Sequence, residues 1–178
     1  PRVSIVGTRK PSKEGLSRAS RLARDLVGQG VVVVSGLARG IDTAAHAATI
    51  DSGGRTIAVL GTPLDVSYPR ENAALQRRIA AQHLLVSQFP PRHPSGRTNF
   101  PRRNRTMALL SDATVIVEAG ESSGTLSQGW EALRLGRELF VLKSLAENEQ
   151  LAWPREMLRY GARVLAETED LLDTLPPL

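Results

Sequence analysis

Val31-Val32-Val33-Val34-Ser35-Gly36-Leu37-Ala38-Arg39-Gly40-Ile41-Asp42 runs into an alanine-rich segment, Thr43-Ala44-Ala45-His46. Four consecutive β-branched residues read as a strand buried on both faces, because a half-solvated strand would alternate with polar residues. The small residues after it turn the chain at the rim of a sheet, and the alanine-rich segment continues as a helix. A strand, a glycine-bracketed basic turn and a helix together have the build of an anion site. Backbone N–H groups can approach a ligand there, and Arg39 adds a fixed positive charge. Gly36, Arg39 and Gly40 together exceed what an ordinary turn requires.

The same alternation extends in both directions. Short β-branched runs lie near Val3–Val6, Val31–Val34, Thr56–Leu60, Leu84–Ser87, Thr114–Glu118, Leu139–Leu142 and Arg163–Leu165. Helical pattern or composition fills Glu14–Val27, Asp42–Ile50, Asn72–Ala81, Arg102–Leu110, Leu126–Leu135, Pro154–Tyr160 and Thr168–Leu175. Strands alternating with helices of this length predict an α/β fold: a doubly wound, mainly parallel sheet of about seven strands, Rossmann-like and covered on both faces. The chain has 178 residues, 41% of them hydrophobic, which suits one domain over residues 1–178. Pro90 to Phe100 is the one long irregular stretch, and ordered loops of that length are often functional.

Composition excludes several chemistries. With no cysteine, disulfides, thiolate nucleophiles and cysteine-ligated metal centres are absent, which fits a reducing cytoplasm. His46, His83 and His93 are too scattered for a metal cluster, and no motif calls for a cofactor. No apolar run approaches a membrane span and no signal peptide opens the chain, so a cytoplasmic protein is expected. Pro1 stands where an initiator methionine would, which implies a piece of a longer protein. The formal charge of +5 favours polyanionic partners.

In an open α/β sheet, ligands bind beyond the carboxyl ends of the strands. The residues just after each strand bring Gly7, Thr8, Arg9 and Lys10 together with the Ser35–Asp42 turn, Gly61 and Thr62, Ser123, Gly124 and Thr125, and Lys143. Glycines, hydroxyls and cations in one rim suit phosphate, since hydroxyls and amides direct hydrogen bonds while Arg and Lys supply charge. A second basic element, Pro90 to Arg105, carries arginines into the first turn of a helix. Cations there oppose the helix dipole, an arrangement better explained if an anion docks. Phe100, beside them, is placed either to stack on a base or to anchor the loop. Asp42 suits the dipole of its helix, His46 lies one turn beyond it, and Trp130 and Trp153 read as core or interface anchors.

Five motifs then agree with one family: Val3-Ser4-Ile5-Val6-Gly7-Thr8-Arg9, Val34 to His46, Ile57 to Asp65, Tyr68-Pro69-Arg70-Glu71-Asn72, and Asn99-Phe100-Pro101-Arg102-Arg103-Asn104-Arg105. Over roughly Val3 to Phe140 the chain resembles the DNA processing protein A (DprA/Smf) family. That resemblance implies an extended Rossmann core that binds single-stranded DNA as a homodimer and helps load the RecA recombinase during natural transformation. It implies a phosphate pocket from Arg9, Ser35, Gly36, Arg39 and Gly40, with Arg102, Arg103 and Arg105 near it. Lys143 comes from the rim argument alone. After Phe140 the chain departs from the Val-Pro-Gly type turn usual in the family, reading Val141-Leu142-Lys143-Ser144-Leu145.

Two other readings stay open. The fold is also similar to that of the LOG phosphoribohydrolases, whose Pro-Gly-Gly-x-Gly-Thr-x-x-Glu motif ends in an acid. Here Gln128 takes that place, and a neutral amide neither serves as a base nor stabilises an oxocarbenium ion. Binding without catalysis is therefore expected. Glu118 reads as organising its loop and Glu131 as a solvated helix residue. The remaining alternative is a sensor that binds a nucleotide in the same pocket.

Overall fold

The computed structural model describes residues 1–177; Leu178, last residue of the expected domain, lies outside them. The strands are β1 (Arg2–Gly7), β2 (Val32–Ser35), β3 (Thr56–Leu60), β4 (Leu84–Ser87), β5 (Ala113–Glu118), β6 (Glu138–Leu142) and β7 (Arg163–Leu165). Between and after them come α1 (Lys13–Gly28), α2 (Ile41–Asp51), α3 (Ala73–Gln82), α4 (Asn99–Leu110), α5 (Thr125–Arg134), α6 (Lys143–Ala146), α7 (Trp153–Arg159) and α8 (Thr168–Leu172). Each neighbouring pair is parallel, in the order β4-β3-β2-β1-β5-β6-β7. The doubly wound α/β expectation holds, with a strand at each of the seven expected places.

The side-chain period of two explains how both faces are covered. Val3 and Ile5 of β1, Val33 of β2, Val115 and Val117 of β5 and Phe140 of β6 pack with α1, α2 and α8. The intervening Val6, Val34, Ile116, Leu139 and Val141 face α4, α5 and α7. Ile79 of α3 joins Ile50, Ala58 and Leu60 on the first face. Fully burying each large aliphatic or aromatic side chain contributes roughly 1.5–3 kcal/mol, so the double-sided sheet is what holds the carboxyl-end loops in place.

Three helices differ from expectation, one of them α8, which ends at Leu172 rather than Leu175. α4 begins at Asn99 rather than Arg102, because Pro101 brings a helix-compatible φ and lacks only an N–H that a first turn leaves unpaired. α6 was not foreseen; with four residues it is too short to show a helical period.

Candidate functional site

β1 stands in the middle of the sheet, with β2 on one side and β5 on the other. The chain leaves β1 towards β2 and crosses back from β4 to reach β5, so the loops after β1 and β5 diverge and leave a crevice. A cleft of about 830 Å³ opens there, between Gly7–Lys10 and Gly120–Thr125. A cavity of about 180 Å³ adjoins it above β2 and β3. Arg9, Lys10, Ala38, Tyr68, Phe100 and Arg103 line both and form the ridge between them.

The turn after β2 is built to be rigid. Leu37 has a φ of 55° although it is not glycine; its side chain is fully buried, which holds a conformation that is costly for a residue with a branched γ carbon. Asn72 donates to the Leu37 carbonyl and to the Thr43 hydroxyl, each at 2.9 Å. Gly40 has a φ of 78°, and a Cβ there would stand 2.5 Å from the Thr8 carbonyl. Only glycine lets the turns after β1 and β2 meet this closely.

One expectation needs correcting. Two amides of this turn are turned inward rather than toward a ligand: Gly36 and Ala38 N–H both donate to Asp42 Oδ2, at 3.1 and 3.3 Å. The carboxylate folds back from the first turn of α2 and occupies the anion position itself, so Asp42 organises the turn beyond serving the dipole. With those two amides withdrawn, charge and side-chain donors carry more of any contact on this side of the cleft.

Arg103 is the buried cation beneath the ridge, 6% exposed. Its Nη1 donates to the carbonyls of Gly36 (2.5 Å) and Val59 (3.0 Å), and its Nε to Asn104 Oδ1 (3.0 Å). Burial pushes its pKa down, Asp42 opposes that, and Arg9 adds to it. Burial likewise pushes the Asp42 carboxyl up, against the pull of Arg103 and the two amides. Gly36 lies between the pair, where a Cβ would stand 2.5 Å from Arg103 Nη1 and 2.8 Å from Asp42 Oδ2. Below, His46 Nδ1 is 2.7 Å from Thr56 Oγ1, whose own proton goes to the Val33 carbonyl. Thr56 therefore accepts, Nδ1 carries the ring proton, and Nε2 has no hydrogen-bond partner among the described residues. His46 does not pair with Asp42.

The ridge is aromatic as well as basic. Phe100 packs on Gly61, where a Cβ would come within 2.7 Å of the ring, and stands 5.5 Å from Tyr68 at 45°. Guanidiniums of Arg9 and Arg103 lie 5.5 and 5.7 Å from its centroid, two cation–π contacts that hold the ring beside the charges. Phe100 thus anchors its loop and also lines both cavities. Tyr68 is 48% exposed, unusual for an aromatic side chain with no partner beyond the ridge. Arg39 reaches the rim from α2's entry and meets Glu71 in a two-point contact, Nη2 to Oε2 at 2.7 Å and Nε to Oε1 at 2.5 Å.

The structure brings Gly7, Thr8, Arg9, Gly36, Arg39, Gly61, Thr62, Arg103, Ser123, Gly124 and Thr125 to the two cavities. Ser35 is buried behind them, its hydroxyl donating to the Ile5 carbonyl, and Gly40 supports the turn. Arg102 lies over the Phe89 ring. Arg105 pairs with Glu131, which also takes Arg134, each at 2.8 Å. Glu131 is accordingly not a solvated residue: burial pushes its carboxyl up, but the two guanidiniums outweigh this and hold it below the usual range. Lys143 pairs with Glu147 beside Arg18 and Ser144, in a separate groove. Glu118 organises a loop other than its own: it accepts from Ser12 N and Oγ, after β1, at 2.8 and 2.7 Å and thereby fixes the cap of α1. Gln128 is buried; with its amide oriented to satisfy both ends, it donates to the Asn104 carbonyl and accepts from Ala108 N. Lys10 of the expected rim, Arg97 of the Pro90–Arg105 element and Ser122 also line the cavities, as does Tyr68, which was not singled out as a site residue. Lys10 was legible as the neighbour of Arg9, while the side toward which Tyr68 and Arg97 face was not.

A parallel doubly wound sheet with a basic, aromatic-ridged cleft at its switch point places the chain among Rossmann-like α/β proteins. The family model for DNA recombination-mediator protein A matches residues 1–176, and the chain belongs to that family. It is 37% identical over 175 residues to the DNA processing protein DprA of Bacillus subtilis (strain 168), covering 98% of this chain and 59% of that protein. The X-ray structure of DprA from Streptococcus pneumoniae superposes with a TM-score of 0.87 at 36% identity, over 100% of this chain and 62% of that one. DNA processing protein A from Helicobacter pylori, whose structure concerns its single-stranded DNA binding mode, gives 0.84 at 30% identity, over 97% and 79%. The chain thus spans about three fifths of the first two relatives. Among the described residues no helix is long and apolar enough to cross a membrane.

Proposed function

We propose that this chain binds single-stranded DNA without turnover, holding the phosphate backbone across the cleft at the switch point, and that it does so in DNA uptake and recombination. The observation that carries the reading is the ridge: Arg9, Lys10, Arg39 and Arg103 surround the Phe100–Tyr68 pair where the two cavities join. Cations that follow a backbone and aromatic faces that tolerate any base are the two elements of sequence-independent strand binding. The finer parts of the proposal are a homodimer that joins two such clefts and raises avidity, and transfer of the strand to the RecA recombinase in natural transformation. The disposition of the acids supports binding over hydrolysis. Among the described residues Asp42, which lines the cleft, is engaged by two backbone amides, Glu118 by Ser12, Glu131 by two arginines, and Gln128 by backbone, so each is held in a structural contact rather than presented as a general base.

Fluorescence anisotropy of a labelled single strand across a salt series tests this. Arg39→Ala is expected to weaken binding roughly tenfold, by loss of a charge-assisted contact, and to reduce the salt slope by about 0.7. The loss should be similar for strands of different base composition, because phosphate contacts carry no sequence information. Displacement by a mononucleotide at low concentration, or an effect confined to one base, would replace this reading with a nucleotide-sensing one.

A further inference from the structure

The acid at the rim calls for an explanation that the fold does not provide. Glu71 sits in a 3₁₀ turn, Arg70–Asn72, directly after Tyr68 and Pro69, which line the smaller cavity. Its neighbour Asn72 has a structural task, bonding the Leu37 carbonyl and Thr43. Glu71's one side-chain hydrogen bond among the described residues is accepted from Arg39 Nη2, and its other carboxylate oxygen lies in ion-pair contact with Arg39 Nε. Both side chains are more than half exposed, 58% and 53%, so the pair adds little to stability. What it does is fill the fork of the guanidinium with a planar anion, in the geometry that a phosphate would use.

We infer that Glu71 is a selectivity residue that makes this site prefer the internal phosphodiester of a strand to a terminal or free phosphomonoester. The inference rests on the proposed binding of strand phosphate at Arg39. Any phosphate that engages Arg39 must first displace the Glu71 carboxylate, a cost common to all ligands. Once displaced, the carboxylate remains tethered at the rim, next to the bound group. An internal phosphodiester carries one negative charge, whereas a phosphomonoester carries about 1.5–2 at neutral pH. At a few ångströms, well inside the screening length of about 8 Å at physiological salt, the second charge is repelled by Glu71 and the first far less in total. The acid therefore penalises mononucleotides and 5′-phosphate ends more than the interior of a strand. Free nucleotides are abundant competitors with the same chemistry, and a purely cationic cleft would favour their higher charge density.

The test uses the whole chain, an oligothymidylate without terminal phosphates as the probe, and thymidine 5′-monophosphate as the competitor. Glu71→Gln keeps the size and one acceptor oxygen but removes the charge. It is expected to tighten the oligonucleotide about threefold and the monophosphate about tenfold, as order-of-magnitude consequences of removing one screened charge a few ångströms away. Selectivity for the strand should thus fall. In an Arg39→Ala background the same substitution should change neither affinity by more than a small factor, which separates release of Arg39 from a general change in net charge. Glu71→Ala serves as a second variant, with thermal unfolding to confirm that both remain folded. Equal fold-changes for the two ligands, weaker binding of either, or an undiminished effect without Arg39 would overturn the inference. A wild-type chain that binds the strand, and loses it with Arg39→Ala, but is indifferent to Glu71→Gln would sink this inference alone. A wild-type chain that binds no strand sinks the proposed function and takes the inference with it.

Discussion

Replacing Arg103 by methionine is expected to lower stability by about 2–6 kcal/mol, since each buried acceptor left without its donor costs about 1–3 kcal/mol and two carbonyls lose Arg103 Nη1. Methionine fills much of the volume but leaves the carbonyls of Gly36 and Val59 without their donor and Asp42 without its nearest buried cation. The two carbonyls belong to different strand ends, so the loss loosens the floor of the cleft as well as the core. Urea denaturation reads this as a lower midpoint at unchanged slope. Arg103→Lys should recover little, since a compact ammonium cannot reproduce the fork that reaches both carbonyls and Asn104. Adding Asp42→Asn to the methionine variant should cost less than it does alone, with a coupling of at least about 1 kcal/mol. Strict additivity of the two would show that the pair does not interact through the fold.

Acid should act through His46. Burial, aided by the charges of Arg103 and His83 and opposed by the Ser35 backbone, pushes its pKa down from 6.5 to about 3. The folded ring stays neutral where the unfolded one takes up a proton, so the unfolded state binds more protons between those values and stability rises with pH there. The contribution is fully present above pH 6.5 and is lost as pH falls towards 3. Moving from pH 7 to 4.5 should remove about 2–3 kcal/mol from this group alone. Asp42, with its raised pKa, works in the opposite direction, and Glu131, with its lowered one, in the same direction. The readout is therefore the difference between the wild-type curve and that of His46→Gln, which cannot titrate but can still donate to Thr56. Parallel curves would exclude His46 as the acid-sensitive group.

The strands were legible because buried parallel strands leave continuous β-branched runs, and Val31–Val34 is the clearest of these. The turn after it was legible as special, since Gly36, Arg39 and Gly40 are more than a turn needs. Its polarity was not. That Asp42 would reach back to Gly36 and Ala38 follows from the left-handed Leu37, which no sequence pattern marks. Arg102, Arg103 and Arg105 look equivalent in sequence; a helix turns about 100° per residue, and that rotation alone sends Arg103 inward while its neighbours meet Phe89 and Glu131. Lys143 failed as a cleft residue for a topological reason. It follows β6, which lies beyond β5, and strand order is not written in the succession of strands.

The pairing of β1 with β5 also bears on how the site comes into being. Arg2 bonds Asp112 across a sequence separation of 110 residues, and the cleft opens at the far end of that same pairing. Its walls come from Gly7–Lys10 and from Gly120–Thr125, so neither half of the chain contains it. Long-range parallel contacts form slowly, because chain closure is entropically unfavourable before any contact rewards it. Helices and local hairpin-free units can gather early, yet the recognition surface is assembled only when the last long loop closes. Ligand binding would then report on complete folding more strictly than helix content does, and a nascent chain that has emerged only as far as α4 would present arginines with no place to put a phosphate.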